Sequence, residues 1–124
     1  MQVDAALHPL FDGPVEDLGQ QCVRTLLEFS DESRATFLAL LRGSQEPAVA
    51  TQLVHAHTEL FVAPLRERLS GPDADLRARL AASVVGGLLY SMWVVGDEVL
   101  LATDHAVIVE RYGTLLQQLV TPAD

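Results

Sequence analysis

Few side chains in this 124-residue sequence have the types and spacing for chemistry: His55, His57 and Glu59, the single cysteine Cys22, and the aromatic-rich run Tyr90, Met92, Trp93. Metal ligands on one helix sit four apart, so that both reach the same face. His55 and His57 are two apart and point to different faces. His55 and Glu59 have the spacing but lie on the wetter face, with no third ligand in view, so no metal and no cofactor is expected. Cys22 falls on an apolar stripe with no cation at helical spacing, which predicts a buried, inert thiol. Gly86 and Gly87 lie within a helical pattern rather than in a phosphate-cradling loop. With neither a nucleophile and base nor a paired-carboxylate cleft, there are no catalytic candidates, and the expectation is that the chain is not an enzyme.

Binding is better supported than catalysis. His57 shares a stripe with Leu53 and Leu60, which predicts an inward imidazole, either offered to a ligand or bonded to a backbone carbonyl in the core. Phe29, Phe37, Phe61, Tyr90, Met92 and Trp93 suit an apolar cavity with the Tyr90 hydroxyl and Trp93 N–H as polar handles, and equally suit an ordinary core. The ligand-binding candidates are His57, Phe61, Tyr90 and Trp93.

The elements that must position these groups are helical. Hydrophobic residues make up 49% and aromatics 6%, a composition for aliphatic helix interfaces rather than sheets. Residues 1–13 read as an irregular lead-in to one domain spanning 1–124, and His8 and His105 as surface residues. Val15, Leu18, Cys22, Leu26 and Phe29 mark an amphipathic helix behind Pro14. Ser30 caps a second, which carries Phe37, Leu38, Leu40 and Leu41 and stops at Gly43. Ser44 caps a third, in which Pro64 must kink or break the backbone against Leu60. Asp73 opens a fourth that runs to about Val95. Residues 96–102 form a connector, and Thr103 caps a last helix carrying Ile108, Tyr112, Leu115, Leu116 and Leu119.

Charge restricts the partners. Seventeen acidic residues face eight basic ones, all arginine and scattered, for a net charge of −9. Such a surface repels phosphate backbones, so these residues alone are not expected to bind DNA. One cysteine and no signal-peptide pattern at the start predict a reducing cytoplasm. The uncharged run 80–95 falls short of a membrane span, which argues against a membrane partner. It is nonetheless too apolar for one small subunit to cover on every side, and so predicts self-association. Ala82 and Gly86, four apart, suggest a close helix crossing.

The runs LRARLAASVVGGLLYSMWVV and DEVLLATDHAVIVERYGTLLQQLV, preceded by EDLGQQCVRTLLEFSDESRATFLALLRG, resemble the C-terminal regulatory domain of tetracycline-repressor (TetR) family transcription regulators over roughly residues 14–122. The resemblance implies an all-α, antiparallel bundle of about five helices. Its last two helices would pair with their copies in a four-helix dimer interface, for which Ala82, Gly86, Leu89, Ile108, Tyr112 and Leu116 are the candidates. The earlier helices would enclose a pocket for a small, largely apolar effector. DNA would be reached only through an N-terminal helix-turn-helix, which the residues before Val15 do not supply. The competing reading is a stand-alone helical dimerisation protein without a ligand.

Overall fold

Pro14 fixes the entry to a 3₁₀ turn, Val15–Asp17, that runs straight into helix α1, Leu18–Leu27. The computed structural model describes residues 8–29 and 31–122, with side chains from Leu10 onward. Helix α2 is Asp31–Arg42. Helix α3 is continuous over 47–68, and α4 is Ala74–Val95. A short α5, Glu98–Ala102, precedes α6, His105–Val120. All six described helices build one core, with no strand among the described residues.

Pro64 shapes α3 without breaking it. Its ring cannot accept a normal approach from the carbonyl one turn back, and it offers no N–H. The helix widens just ahead of it into a π segment, Ala56–Val62, which closes with the Ala63 N–H donating to Thr58 O. The expected kink is therefore a local widening that turns the His57–Phe61 stretch. A second π segment, Tyr90–Val95, ends α4, and Gly96 stops it in the left-handed conformation at φ 71°.

The closest helix crossing joins α1 to α6. A Cβ on Gly19 would lie 2.2 Å from Gly113 O, and one on Gly113 would lie 2.8 Å from Gln20 Cα, so only glycine fits at either position. Gln117 locks this contact: its Oε1 accepts from the Gly19 N–H at 2.8 Å and its Nε2 donates to Val15 O at 3.1 Å. Gly86, by contrast, has nothing within 4 Å of where its Cβ would stand, so no described helix of the same subunit crosses closely at that position.

Two arginines tie segment ends with carbonyl oxygens as acceptors. Arg77 is 7% exposed, and its guanidinium donates to Ser70 O, Pro72 O and Val120 O. It joins the α3–α4 turn to the C-terminal end of α6, where the helix dipole favours a cation. Arg68 donates to Phe11 O and, at 2.8 Å, to Gly13 O.

Several boundaries differ from expectation. The lead-in is not irregular throughout: His8–Phe11 is a 3₁₀ turn, with Leu10 and Phe11 buried in the core. Val15 is exposed rather than part of the buried stripe. The connector contains α5, because Asp97 caps it by accepting from the N–H groups of Val99 and Leu100. Asp104, not Thr103, caps α6 by accepting from Ala106 N–H, and Thr103 donates its hydroxyl to Val99 O instead. Ser44 likewise closes α2 by donating to Leu41 O, leaving Glu46 and Pro47 to open α3. Asp73 opens α4 in the left-handed region, without a side-chain cap. Ser30 and the His8 side chain lie outside the described residues.

Candidate functional site

A cavity of about 410 Å³ lies between α1, α2, α3 and α4. Leu26 and Phe29 reach it from α1 and the turn after it, and Ser33 and Phe37 from α2. Leu53, Val54, Ala56, His57 and Phe61 reach it from α3, and Ala82, Val85, Gly86 and Leu89 from α4. The volume falls within the ~300–1,000 Å³ of small-molecule sites. Among the described residues its wall carries no carboxylate, guanidinium or ammonium group, and His57 and Ser33 are the only polar side chains there. A hollow of about 530 Å³ between α1 and α6 is larger, but Glu16, Asp17, Gln20, Gln117 and Gln118 line it, so it is a solvated polar groove.

The local backbone explains how the wall is built. The π segment before Pro64 brings both His57 and Phe61 to the cavity. Phe61 is buttressed from behind by Phe11, edge to face at a centroid distance of 5.2 Å. The lead-in therefore supports the cavity wall, and Arg68 pins the lead-in. On the far side, Trp93 stacks obliquely on Phe29 at 6.0 Å and edge-on against Phe37 at 5.7 Å.

Each of the four ligand-binding candidates has a definite place. Phe61 is buried and lines the cavity. His57 also lines it but is exposed, so it stands at the mouth and is not the buried imidazole that the stripe with Leu53 and Leu60 predicts. Trp93 is half-buried and sits behind the two phenyl rings rather than on the cavity surface. Tyr90 is 55% exposed and points away from the cavity, so its hydroxyl is not a handle there. The reason is the phase of α4. Ala82, Val85, Gly86 and Leu89 share one face, and Tyr90 falls on another. Phe29 and Phe37, expected mainly as core packing, both stand in the wall. Ser33 was missed because it is a polar residue in the first turn of α2, and Val54 because it lies beside the main apolar stripe of α3 rather than on it.

The positions expected between two copies are placed as follows. Ala82, Leu89, Ile108 and Leu116 are covered within the subunit itself. Tyr112 is half-buried and donates its hydroxyl to Val84 O, joining α6 to α4. Gly86 is exposed at the cavity. The outward face of α4 instead carries Leu76, Leu80, Tyr90 and Val94 at steps of three and four or their sums, and that of α6 carries Val107 and Leu115, all exposed. Ala74–Val95 has the length and composition of a membrane span, yet Ala78, Ala81, Val85 and Leu88 bury one side of it in the bundle. Cys22 is buried, and the absence of solvation pushes its thiol up to about 12. Among the described residues there is no group of three or more side chains fit to hold a metal.

A family model described as the tetracyclin repressor-like C-terminal domain matches residues 16–120. The chain belongs to the TetR family. A TetR-family regulator from Streptomyces coelicolor A3, known from its crystal structure, shares the fold of this TetR domain with a TM-score of 0.68 at 24% identity. The match covers 97% of this chain and 82% of that one. No curated protein matches the chain. TetR-family proteins are transcription regulators rather than enzymes, and this member carries the all-helical C-terminal fold of the family.

Proposed function

We propose that this TetR domain is the effector-binding and dimerisation half of a bacterial transcriptional regulator of the repressor type. It senses a small, largely apolar molecule in the cavity between α1 and α4. The observation that carries this reading is the cavity itself: a protein interior packs to near-crystalline density, so an uncharged void of this size among six helices is unusual unless something occupies it. Contact with DNA is assigned to a helix-turn-helix head outside these residues. The domain acts as a cytoplasmic homodimer with no membrane partner.

A ligand shifts an equilibrium only if it binds one conformation more tightly than another. The packing offers a route: a molecule pressing on Phe61 presses on Phe11, and the His8–Phe11 turn lies at the end of the domain from which a DNA-binding head would extend. The dimer is supported by the outward apolar face of α4 and α6. Leu76, Leu80, Tyr90, Val94, Val107 and Leu115 there each leave about half of their surface uncovered within the subunit. That same face favours a second reading, a dimerisation protein that takes no ligand.

Binding of the neutral dye N-phenyl-1-naphthylamine separates the two. Saturable fluorescence enhancement at one dye per chain, reversed by a competing apolar alcohol, supports the sensor. A dimer that leaves the dye dark supports the ligand-free reading.

A further inference from the structure

Of the eight glycines in the sequence, four answer a demand of backbone geometry and two answer none. Gly19 and Gly113 are required by helix contact, and Gly71 and Gly96 by positive φ. Gly86 and Gly87 lie in the middle of α4 with no neighbour within 4 Å of a Cβ, where alanine would favour the helix. Gly86 alone of this pair lines the cavity. Taking the cavity as the effector site, as above, we infer that Gly86 is its size-determining position. The missing side chain leaves room for a ring-bearing ligand whose single hydrogen-bonding group stays at the His57 mouth.

Three features converge on that statement. The exposed members of the cavity lining are Val54 and His57 from α3 and Gly86 from α4, so these frame its open side. Gly86 borders that opening and a Cβ there would meet no protein atom within 4 Å, so added bulk at 86 has room to narrow it. The buried wall is mainly phenyl and aliphatic, from Phe29, Phe37 and Phe61 in particular, and among the described residues it holds no charged group. A charged end would lose its hydration there without a partner, so the polar end of a ligand belongs at the mouth, where the exposed imidazole of His57 offers a hydrogen bond.

The test is calorimetric titration of phenol and 1-naphthol into wild type, Gly86→Ala and Gly86→Leu. A single methylene in an apolar site is worth about 10- to 200-fold in discrimination. Gly86→Leu is therefore expected to weaken 1-naphthol at least about tenfold while phenol changes little, with Gly86→Ala in between. Gly86→Ala meets no atom and gains helix propensity, so it folds and melts higher than wild type, and it carries the test if the leucine variant does not fold. If both variants hold 1-naphthol as tightly as wild type, Gly86 does not limit the site, although the cavity reading stands. If wild type binds neither alcohol, the cavity reading fails and takes this inference with it.

Discussion

The same substitution, glycine to alanine within a helix, should have opposite signs at Gly19 in the first turn of α1 and at Gly86 in the middle of α4. In an open helix the exchange stabilises by about 1 kcal/mol. At Gly19 the new methyl would stand 2.2 Å from Gly113 O and 2.6 Å from Gln117 N, both backbone atoms of α6. No rotamer change relieves that contact, so α1 and α6 must part until the pair approaches the 3.4 Å at which ordinary contact begins. Overpacking of this kind costs about 1–3 kcal/mol. Separation also weakens the 2.8 Å bond from the Gly19 N–H to Gln117, worth about 1 kcal/mol. Set against the propensity gain, Gly19→Ala is destabilising by about 2 kcal/mol, a fall in Tm of about 6–12 °C for a domain of this length. Gly86→Ala meets no neighbour within 4 Å and keeps the whole gain, a rise of about 3–6 °C. Circular dichroism melts at one fixed chain concentration compare the two, since any self-association would make Tm concentration-dependent. If Gly19→Ala melts at or above wild type, the α1–α6 crossing is not as tight as described.

Arg77→Met strands the carbonyls of Ser70, Pro72 and Val120, and urea unfolding should show a loss of about 3 kcal/mol; an unchanged midpoint would mean water replaces the guanidinium without cost. The Cys22 thiol, with an ordinary value of 9.0 and pushed to about 12 by burial, stays protonated in the fold while the unfolded chain ionises. Burial also raises the Tyr112 phenol, so unfolding releases protons in alkali, and stability is full below pH 9 and falls towards pH 12. Equilibrium unfolding across that range reads the slope, and a flat profile would contradict the burial; iodoacetamide should leave Cys22 unlabelled until the protein unfolds. Leu80→Glu puts a charge on the outward face of α4 and should shift sedimentation velocity from dimer towards monomer, with the monomeric fold kept; a dimer of unchanged affinity would move the interface elsewhere.

The helices were legible because their apolar spacing is regular. Leu18, Cys22 and Leu26 in α1, and Ile108, Tyr112 and Leu116 in α6, turn inward as a period of 3.6 requires. What the spacing could not say is which neighbour each inward face meets. Ile108 and Leu116 were expected against a second copy, yet α1 and α4 cover them, because the Gly19–Gly113 contact draws α1 over α6. That contact joins residues ninety-odd positions apart, and no local pattern marks it. His57 was drawn inward by an ideal helical period, and the π segment ahead of Pro64 changes the phase at that point. Caps failed by one or two residues, since Thr103 and Asp104 are equally good on paper and the choice rests on where the chain turns. Leu10 and Phe11 were hidden among His8, Pro9, Gly13 and Pro14, which read as punctuation, although Arg68 and Phe61 hold that segment in the core.

Trp93 gives the most direct reading of the central claim, that the interior of this TetR domain receives an apolar molecule. It is the only tryptophan in the sequence and rests on Phe29 and Phe37, which line the cavity. Titration with 1-decanol, which has no absorbance of its own there, should shift the Trp93 emission saturably at one molecule per chain. An emission unchanged up to the solubility limit of the alcohol, in a folded dimer, would contradict the account.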